Sequence, residues 1–275
     1  MEDCRILDSA KRPLWLVWKN ADPLADLFSH THEIIFKNGD DLRQDMLTLQ
    51  VLRIMDSIWK REGFDFHLIP YSCLPMGKQI GMIEIVKNSQ TIYEIQRQSK
   101  IGVLNMGSSF LNNWIREHNK TNEKYAEAVK RFTYSCAGYC VATFVLGIRD
   151  RHQDNIMVTE DGRIFHIDFG HFLGHYKRKF GINRERVPFV LTDQFTTVIG
   201  KGSYNPKRSK EFDVFQELCG RAYMILHQNA KLFITLFTMM LCMGIPELQK
   251  LSDIEHLKRT LSAGKNDQEA LQFFQ

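Results

Sequence analysis

No stretch of this 275-residue chain holds the about 20 consecutive apolar side chains that a membrane-spanning helix needs. Two runs come nearest. Phe132 to Ile148 has 17 residues without a charge and Leu232 to Ile245 has 14, and both read as buried core helices. The N-terminus, MEDCRILDSAKR, has no apolar segment of the signal-peptide kind. Six cysteines are too few for a disulfide-stapled scaffold. Cys136 and Cys140, the one close pair, lie in an apolar run and read as small buried hydrophobes, so a reducing, cytosolic setting is expected. Net charge is scarce too: Lys+Arg 36 against Asp+Glu 32 gives +4, too little to suggest a nucleic-acid partner. Internal repeats, low-complexity linkers and a G-x-G-x-x-G loop are all missing. With 44% apolar and 25% charged residues, the chain is neither disordered nor fibrous, and it is long enough to bury a large core.

Residues 5–18 read as two short strands around the turn Asp8-Ser9-Ala10-Lys11. Glu33 to Lys37 is a strand ending on a lysine, followed by the turn Asn38-Gly39. Asp40 or Asp41 caps a long helix, with Leu42, Met46, Leu49, Leu52, Met55 and Trp59 near a 3.6-residue period and Gly63 at its end. Strands are expected at 65–70 and 81–86. Helical patterns follow at 89–98, 109–118 and 123–147, then two strands at 155–158 and 163–167 joined by Glu160-Asp161-Gly162. A basic loop and a helical tail from about residue 210 complete the chain.

The chemistry gathers where the long helix gives way to the hairpin. Asp150-Arg151-His152-Gln153-Asp154-Asn155 places Asp and Asn five apart, and Asp168-Phe169-Gly170 follows thirteen residues after Asn155. Protein kinases also set a catalytic-loop Asp and Asn five apart ahead of D-F-G, although there the histidine precedes the aspartate. Phosphoryl transfer needs oxygen ligands for Mg²⁺, a polar group to orient or deprotonate the attacking hydroxyl, and a cation on the phosphates. Asn155 and Asp168, the D-R-H group, and strand-ending Lys37 match those needs. Each piece alone is weak. Their conjunction in that order is specific.

Asp150 to Asn155, Asp168 to His171 and FKNGDDLRQDMLTLQ (Phe36 to Gln50) resemble the phosphoinositide 3-kinase superfamily. SCAGYCVATFVLGI (Ser135 to Ile148) and the loop from Lys177 to Phe189 resemble its class I members, with alpha-like and gamma-like features mixed. The resemblance covers essentially the whole chain. It implies an α+β, two-lobed kinase-like fold. A small β-rich lobe over 1–86, incomplete at its start, would precede a larger, mostly helical lobe over 87–275. That second lobe would hold a catalytic loop at 148–157 and an activation loop at 168–189, and would lack its C-terminal helix.

Residue by residue, the resemblance implies that Ser9 and Lys11 meet the ATP phosphates on a turn without glycine. Trp15 borders adenine, Lys37 holds phosphate, and Asp45 and Tyr71 line an inner pocket. Glu84 and Val86 form the adenine hinge, with Met157 and Ile167 beneath the purine. Asn155 and Asp168 would ligate Mg²⁺. Asp150, His152 and His171 are the catalytic candidates, and which of them takes the hydroxyl proton stays open. Lys177, Arg178, Lys179, Arg184 and Arg186, against the single acid Glu185, would read a lipid headgroup phosphorylated at positions 4 and 5. Arg149 stands where class I members usually carry glycine.

The implied activity is ATP- and Mg²⁺-dependent 3-phosphorylation of phosphatidylinositol 4,5-bisphosphate in receptor-driven signalling. The enzyme would be cytoplasmic and recruited peripherally to the inner face of the plasma membrane. A regulatory subunit and a small GTPase would act through domains outside this chain, and no nucleic acid is involved. Two other readings stay open: a related protein kinase, expected to lack the paired basic clusters, and a catalytically impaired or non-catalytic family fragment.

Overall fold

The computed structural model describes residues 3–9, 11–20, 31–99, 107–175, 178–179, 182–183, 189–203 and 205–275. The chain divides into two compact units, Met1–Val51 with Pro70–Lys87, and Leu52–Ile69 with Asn88–Gln275.

The first unit is built on one antiparallel sheet. Its strands are β1 (Arg5–Ile6), β2 (Leu14–Lys19), β3 (Thr31–Asn38), β4 (Cys73–Gly77) and β5 (Ile80–Glu84), in the order β1-β2-β3-β5-β4. Pro75 sits in an edge strand, beside a register shift, where its missing N–H costs the ladder least. Lys37 pairs with Gly81. A Cβ at Gly81 would stand 2.6 Å from Leu42 Cδ1 and 2.7 Å from the Leu74 carbonyl, so this register needs glycine. Asn38-Gly39 turns the chain, with Gly39 at φ +103°, into helix α1 (Arg43–Arg61). Asp41 accepts the Arg43 backbone N–H at 3.1 Å, the capping role expected of Asp40 or Asp41. Leu52–Ile69, which takes in the second half of α1 and the segment up to Ile69, is counted with the second unit.

The expected strand at 65–70 is absent. Phe66 and Leu68 alternate inward, at 0% and 7% exposure, which gives the period of a strand. The segment has no ladder partner, and His67 at φ 49° breaks its extension. It packs instead against α4 (Asn122–Leu146), where a Cβ at Gly138 would lie 2.9 Å from both Phe66 and Leu68, and the Tyr139 hydroxyl donates to the Ile69 carbonyl at 3.3 Å. The helical pattern at 89–98 resolves into β6 (Ser89–Thr91) and α2 (Ile92–Gln98), divided by a capping box between Thr91 and Glu94. Helix α3 (Phe110–His118) comes next.

Helix α4 is the core of the second unit. Thr121 caps its start, and Gly147 ends it in the left-handed region at φ 58°. The run from Phe132 is buried as expected, Cys136 and Cys140 included. Three of its hydroxyls are paired within the helix: Thr133, Ser135 and Thr143 each donate to the carbonyl four residues back. Strands β7 (Ile156–Thr159) and β8 (Ile164–His166) form the hairpin and complete the sheet β6-β7-β8. Strands β9 (Arg178–Lys179) and β10 (Ile182–Asn183) pair antiparallel.

Helix α5 (Asp193–Ile199) was not legible, because its β-branched FTTVI run has poor helix propensity. Burial decides: Phe195 to Ile199 are all buried, and the Phe195 ring meets Phe132 edge-on at 5.8 Å. Helices α6 (Lys210–Gln228), α7 (Ala230–Met240), α8 (Leu251–Thr260) and α9 (Asp267–Phe274) make up the tail. The second apolar run corrects an expectation. Only one face of α7 is buried, through Ala230, Phe233 and Phe237, while Leu232, Met239 and Met243 are exposed. Among the described residues no single helix is long and apolar enough to cross a membrane, although α6 with the helix after it, bent by 62°, passes by length and composition as a pair.

Candidate active site

The candidate residues fall on both units. In the first, the turn between β1 and β2 is closed by Leu7 N–H to Pro13 O at 2.8 Å and Arg12 N–H to Ser9 O at 2.9 Å. Ser9 and Lys11 are exposed on it, and the Lys11 side chain runs beside Gly39. Trp15 on β2 is half-buried with the Arg5 guanidinium 4.4 Å over its ring. Lys37 stands one residue before the end of β3 with Nζ 3.4 Å from Asp40. Asp45 lies in the first turn of α1, and Tyr71 is buried just ahead of β4. Burial foremost, then the Asp45 charge, pushes the Cys73 thiol up to about 12 against the pull of Lys37, so these three side chains share one electrostatic neighbourhood. Glu84 is tied at the end of β5: its carboxylate accepts the Ser72 N–H at 2.7 Å while its own N–H donates to Ser72 O at 2.9 Å. Val86 is half-buried two residues on.

In the second unit the loop between α4 and β7 is held by its own polar groups. Asp150 and Asp168 both adopt positive φ, 61° and 59°, a conformation that Asp tolerates better than most residues and that recurs at functional sites. Asn155 is 4% exposed. Its Oδ1 accepts the His152 N–H at 2.9 Å, its Nδ2 donates to the Asp150 carbonyl, and Nδ2 lies 3.3 Å from His152 Nε2. The Ile167 N–H donates to Asn155 O at 3.0 Å, which ties the loop to the strand end before D-F-G. Met157 is half-buried on β7 opposite Phe165. His152 is exposed beside Asp154, with Nδ1 3.9 Å from its carboxylate.

Arg151 is the organiser that sequence reasoning passed over. Its guanidinium donates to the carbonyls of Arg149 (3.0 Å), Ile167 (2.6 Å), Asn155 (3.4 Å) and Asp168, and lies 5.7 Å over the buried Phe169 ring. One side chain thus joins the D-R-H loop to D-F-G. Its position inside the motif was the available signal. Beneath the loop, His166 is 5% exposed and stacks on Tyr139 at 5.0 Å. Burial, then the Arg151 charge, holds His166 well below the usual histidine range, so it stays neutral.

The segment after D-F-G runs back along the end of α4. Arg149 N–H donates to His171 O at 3.1 Å, Leu173 N–H to Leu146 O at 2.7 Å and Gly174 N–H to Gly147 O at 3.3 Å. His171 Nδ1 lies 2.7 Å from Glu247 Oε1, and Glu247 Oε2 accepts the Phe172 N–H at 2.7 Å. Glu247 is the second residue of this site to which the sequence did not point. It stands 76 residues from its partner in a turn with no motif, so no local signal pointed to it.

Asn155 and Asp168 suit a hard cation. Both offer oxygen, Asp168 is exposed, and among the described residues no group of three or more His, Cys, Asp or Glu side chains gathers into a self-sufficient cage. Two protein oxygens, with phosphate and water completing the shell, is the donor set Mg²⁺ takes beside a nucleotide. Arg178 and Lys179 form β9. Lys177, Arg184 and Arg186 lie outside the described residues.

A D-R-H-x-x-N loop tied to D-F-G, downstream of a sheet that carries a lysine near a strand end, defines a kinase-like α+β protein. Comparison agrees. The model of the family "Phosphatidylinositol 3- and 4-kinase" matches residues 31–250, and the chain belongs to that family. It is 48% identical to phosphatidylinositol 3-kinase age-1 of Caenorhabditis elegans over 298 residues, covering 98% of this chain and 25% of that protein. It is 50% identical to phosphatidylinositol 3-kinase 2 of Dictyostelium discoideum, over 100% of this chain and 14% of the relative. It is 52% identical to phosphatidylinositol 3-kinase 1 of the same organism, over 98% and 17%. The chain therefore spans a quarter or less of the length of these relatives.

Proposed function

We propose that the chain is the catalytic part of a phosphatidylinositol 3-kinase that transfers the ATP γ-phosphate to the 3-hydroxyl of phosphatidylinositol 4,5-bisphosphate. The observation that carries this reading is the Arg151-centred tie between Asp150–Asn155 and Asp168–Phe169, in a chain about half identical to proteins named phosphatidylinositol 3-kinase.

In this reading residues 1–86 and 87–275 are the two lobes. Ser9, Lys11 and Lys37 hold the phosphates. Trp15, Asp45, Tyr71, Glu84, Val86, Met157 and Ile167 surround the nucleoside and its inner pocket. Asn155 and Asp168 would hold Mg²⁺, which neutralises charge on the phosphates when bound. His171 takes the hydroxyl proton, because a neutral imidazole offers a ring nitrogen that can accept one. Asp150 and His152 orient the hydroxyl and the moving phosphoryl group.

The five cations Lys177, Arg178, Lys179, Arg184 and Arg186 read the headgroup phosphates. The whole protein would act in receptor-driven lipid signalling. It would work from the cytoplasm at the inner face of the plasma membrane, with a regulatory subunit and a small GTPase engaging domains outside this chain.

The test is phosphate transfer from labelled ATP to vesicles carrying the bisphosphate lipid, using the full-length protein. The expected product is phosphorylated at position 3, and Asp168→Ala should abolish it. Label appearing on protein but not on lipid would favour the protein-kinase reading instead.

A further inference from the structure

Glu247 stands on a turn that is pinned at both ends. Gly244 enters it at φ 65°, and Ile245 and Leu248, 2% and 0% exposed, form an isolated antiparallel bridge with Leu248 N–H donating to Ile245 O at 3.1 Å. The two buried side chains anchor the turn and leave Glu247 projecting from it, its side chain 16% exposed. Both carboxylate oxygens are committed to consecutive residues after D-F-G. Oε1 meets His171 Nδ1 and Oε2 takes the Phe172 N–H, each at 2.7 Å. Phe172 and Leu173 are buried, so the backbone around the imidazole has little room to shift.

These contacts decide where the imidazole proton sits. An ionised carboxylate only accepts, so Nδ1 must donate to it, and the neutral ring then keeps its lone pair on Nε2. We propose that Glu247 is a positioning residue that fixes His171 as the Nδ1–H tautomer, leaving Nε2 as the acceptor for the lipid hydroxyl proton; the inference rests on the reading of His171 as that acceptor. In the step itself the hydroxyl oxygen bonds to the γ-phosphorus, the bond from phosphorus to the departing ADP oxygen breaks, and the hydroxyl proton passes to Nε2. The imidazolium then faces Glu247 across 2.7 Å, in a partly buried place where solvent screens the pair weakly. Carboxylates that hold a catalytic imidazole in its working tautomer act in this way on unrelated folds.

The discriminating variant is Glu247→Gln. The Phe172 N–H is a donor in every state and claims the one remaining acceptor oxygen. The new NH₂ then faces Nδ1 and drives His171 into the Nε2–H tautomer, which has no lone pair for the hydroxyl proton. In the full-length protein, turnover on bisphosphate vesicles is expected to fall about 100-fold or more, with the KM for ATP within a few-fold of wild type. On a His171→Ala background the same change should cost nothing further, and unaltered binding of a fluorescent ATP analogue shows that the variants are folded. Histidine-selective ¹⁵N NMR reads the tautomer independently of activity: Nδ1 protonated in the wild type, Nε2 in Glu247→Gln. Near-normal turnover by Glu247→Gln where His171→Ala is inactive overturns the inference, as does an Nε2–H signature in the wild type. Full turnover by His171→Ala overturns the acceptor reading beneath it, and the tautomer signature then shows whether Glu247 still holds the ring.

Discussion

Arg151 shows how much one side chain can decide. Four backbone carbonyls from two loop segments receive its guanidinium, a pattern that a planar five-donor fork satisfies and a single ammonium does not. Arg151→Lys keeps the charge and loses most of the tie. Turnover is expected to fall at least about tenfold while ATP affinity changes less, measured as kcat and KM on lipid vesicles. Turnover equal to wild type would remove Arg151 from the organising role. At this scale the catalytic-loop candidates were legible because Asp150, His152, Asn155 and Asp168 sit within one local stretch whose order carries the chemistry. Glu247 was not, since its partner is distant in sequence and a lone glutamate near a Pro-Glu-Leu turn looks like any solvated charge.

Elements meet tightly at the end of α4. A Cβ at Gly147 would lie 2.4 Å from His256 Nε2 and 2.6 Å from the Gly174 nitrogen, so the end of α4, the segment after D-F-G and α8 converge on one corner. His256 accepts from Arg259 through Nδ1 at 3.1 Å. Burial first, then the charges of Arg259, Arg149 and His175, lowers it to about 4. An unfolded chain binds that proton near pH 6.5, so the unfolded state holds more protons between about pH 4 and 6.5. Stability is therefore full above about 6.5 and declines as pH falls toward 4, by at most about 3 kcal/mol from this group. His166, held low by its own burial, acts in the same direction. Hydrogen exchange of the α8 amides at pH 5 and pH 7 should show the loss, and His256→Gln should flatten the slope. An identical slope in the variant would assign the pH dependence elsewhere. Most helices and both hairpin strands were readable from period and caps. The missing strand at 65–70 and the unread α5 were not, because in both places packing against α4 outweighed local pattern and propensity.

For the molecule as a whole, net charge is small and concentrated in one segment. The total is +4, and five cations with one acid between Lys177 and Arg186 account for that same excess, which leaves the remainder formally balanced. A headgroup with two extra phosphates needs several cations close together, whereas unphosphorylated phosphatidylinositol does not. Lys177→Ala, Arg178→Ala and Lys179→Ala combined should spare activity on phosphatidylinositol and reduce activity on the bisphosphate at least about tenfold, assayed on paired vesicle preparations. Equal loss on both lipids would dismiss the specificity argument.

Periodicity and caps determined the long central helix, and motif order, through the family resemblance it carries, pointed to the α+β class and to the candidate residues for phosphoryl transfer, because each is written in neighbours within a few turns or one hairpin. Tertiary structure alone decided which side chains hold those residues in place. Glu247 on His171, His256 against Gly147 and Phe66 against Gly138 are contacts between segments tens of residues apart. No local pattern specifies such pairs. They form when buried surfaces choose their partners and unpaired polar groups must find theirs.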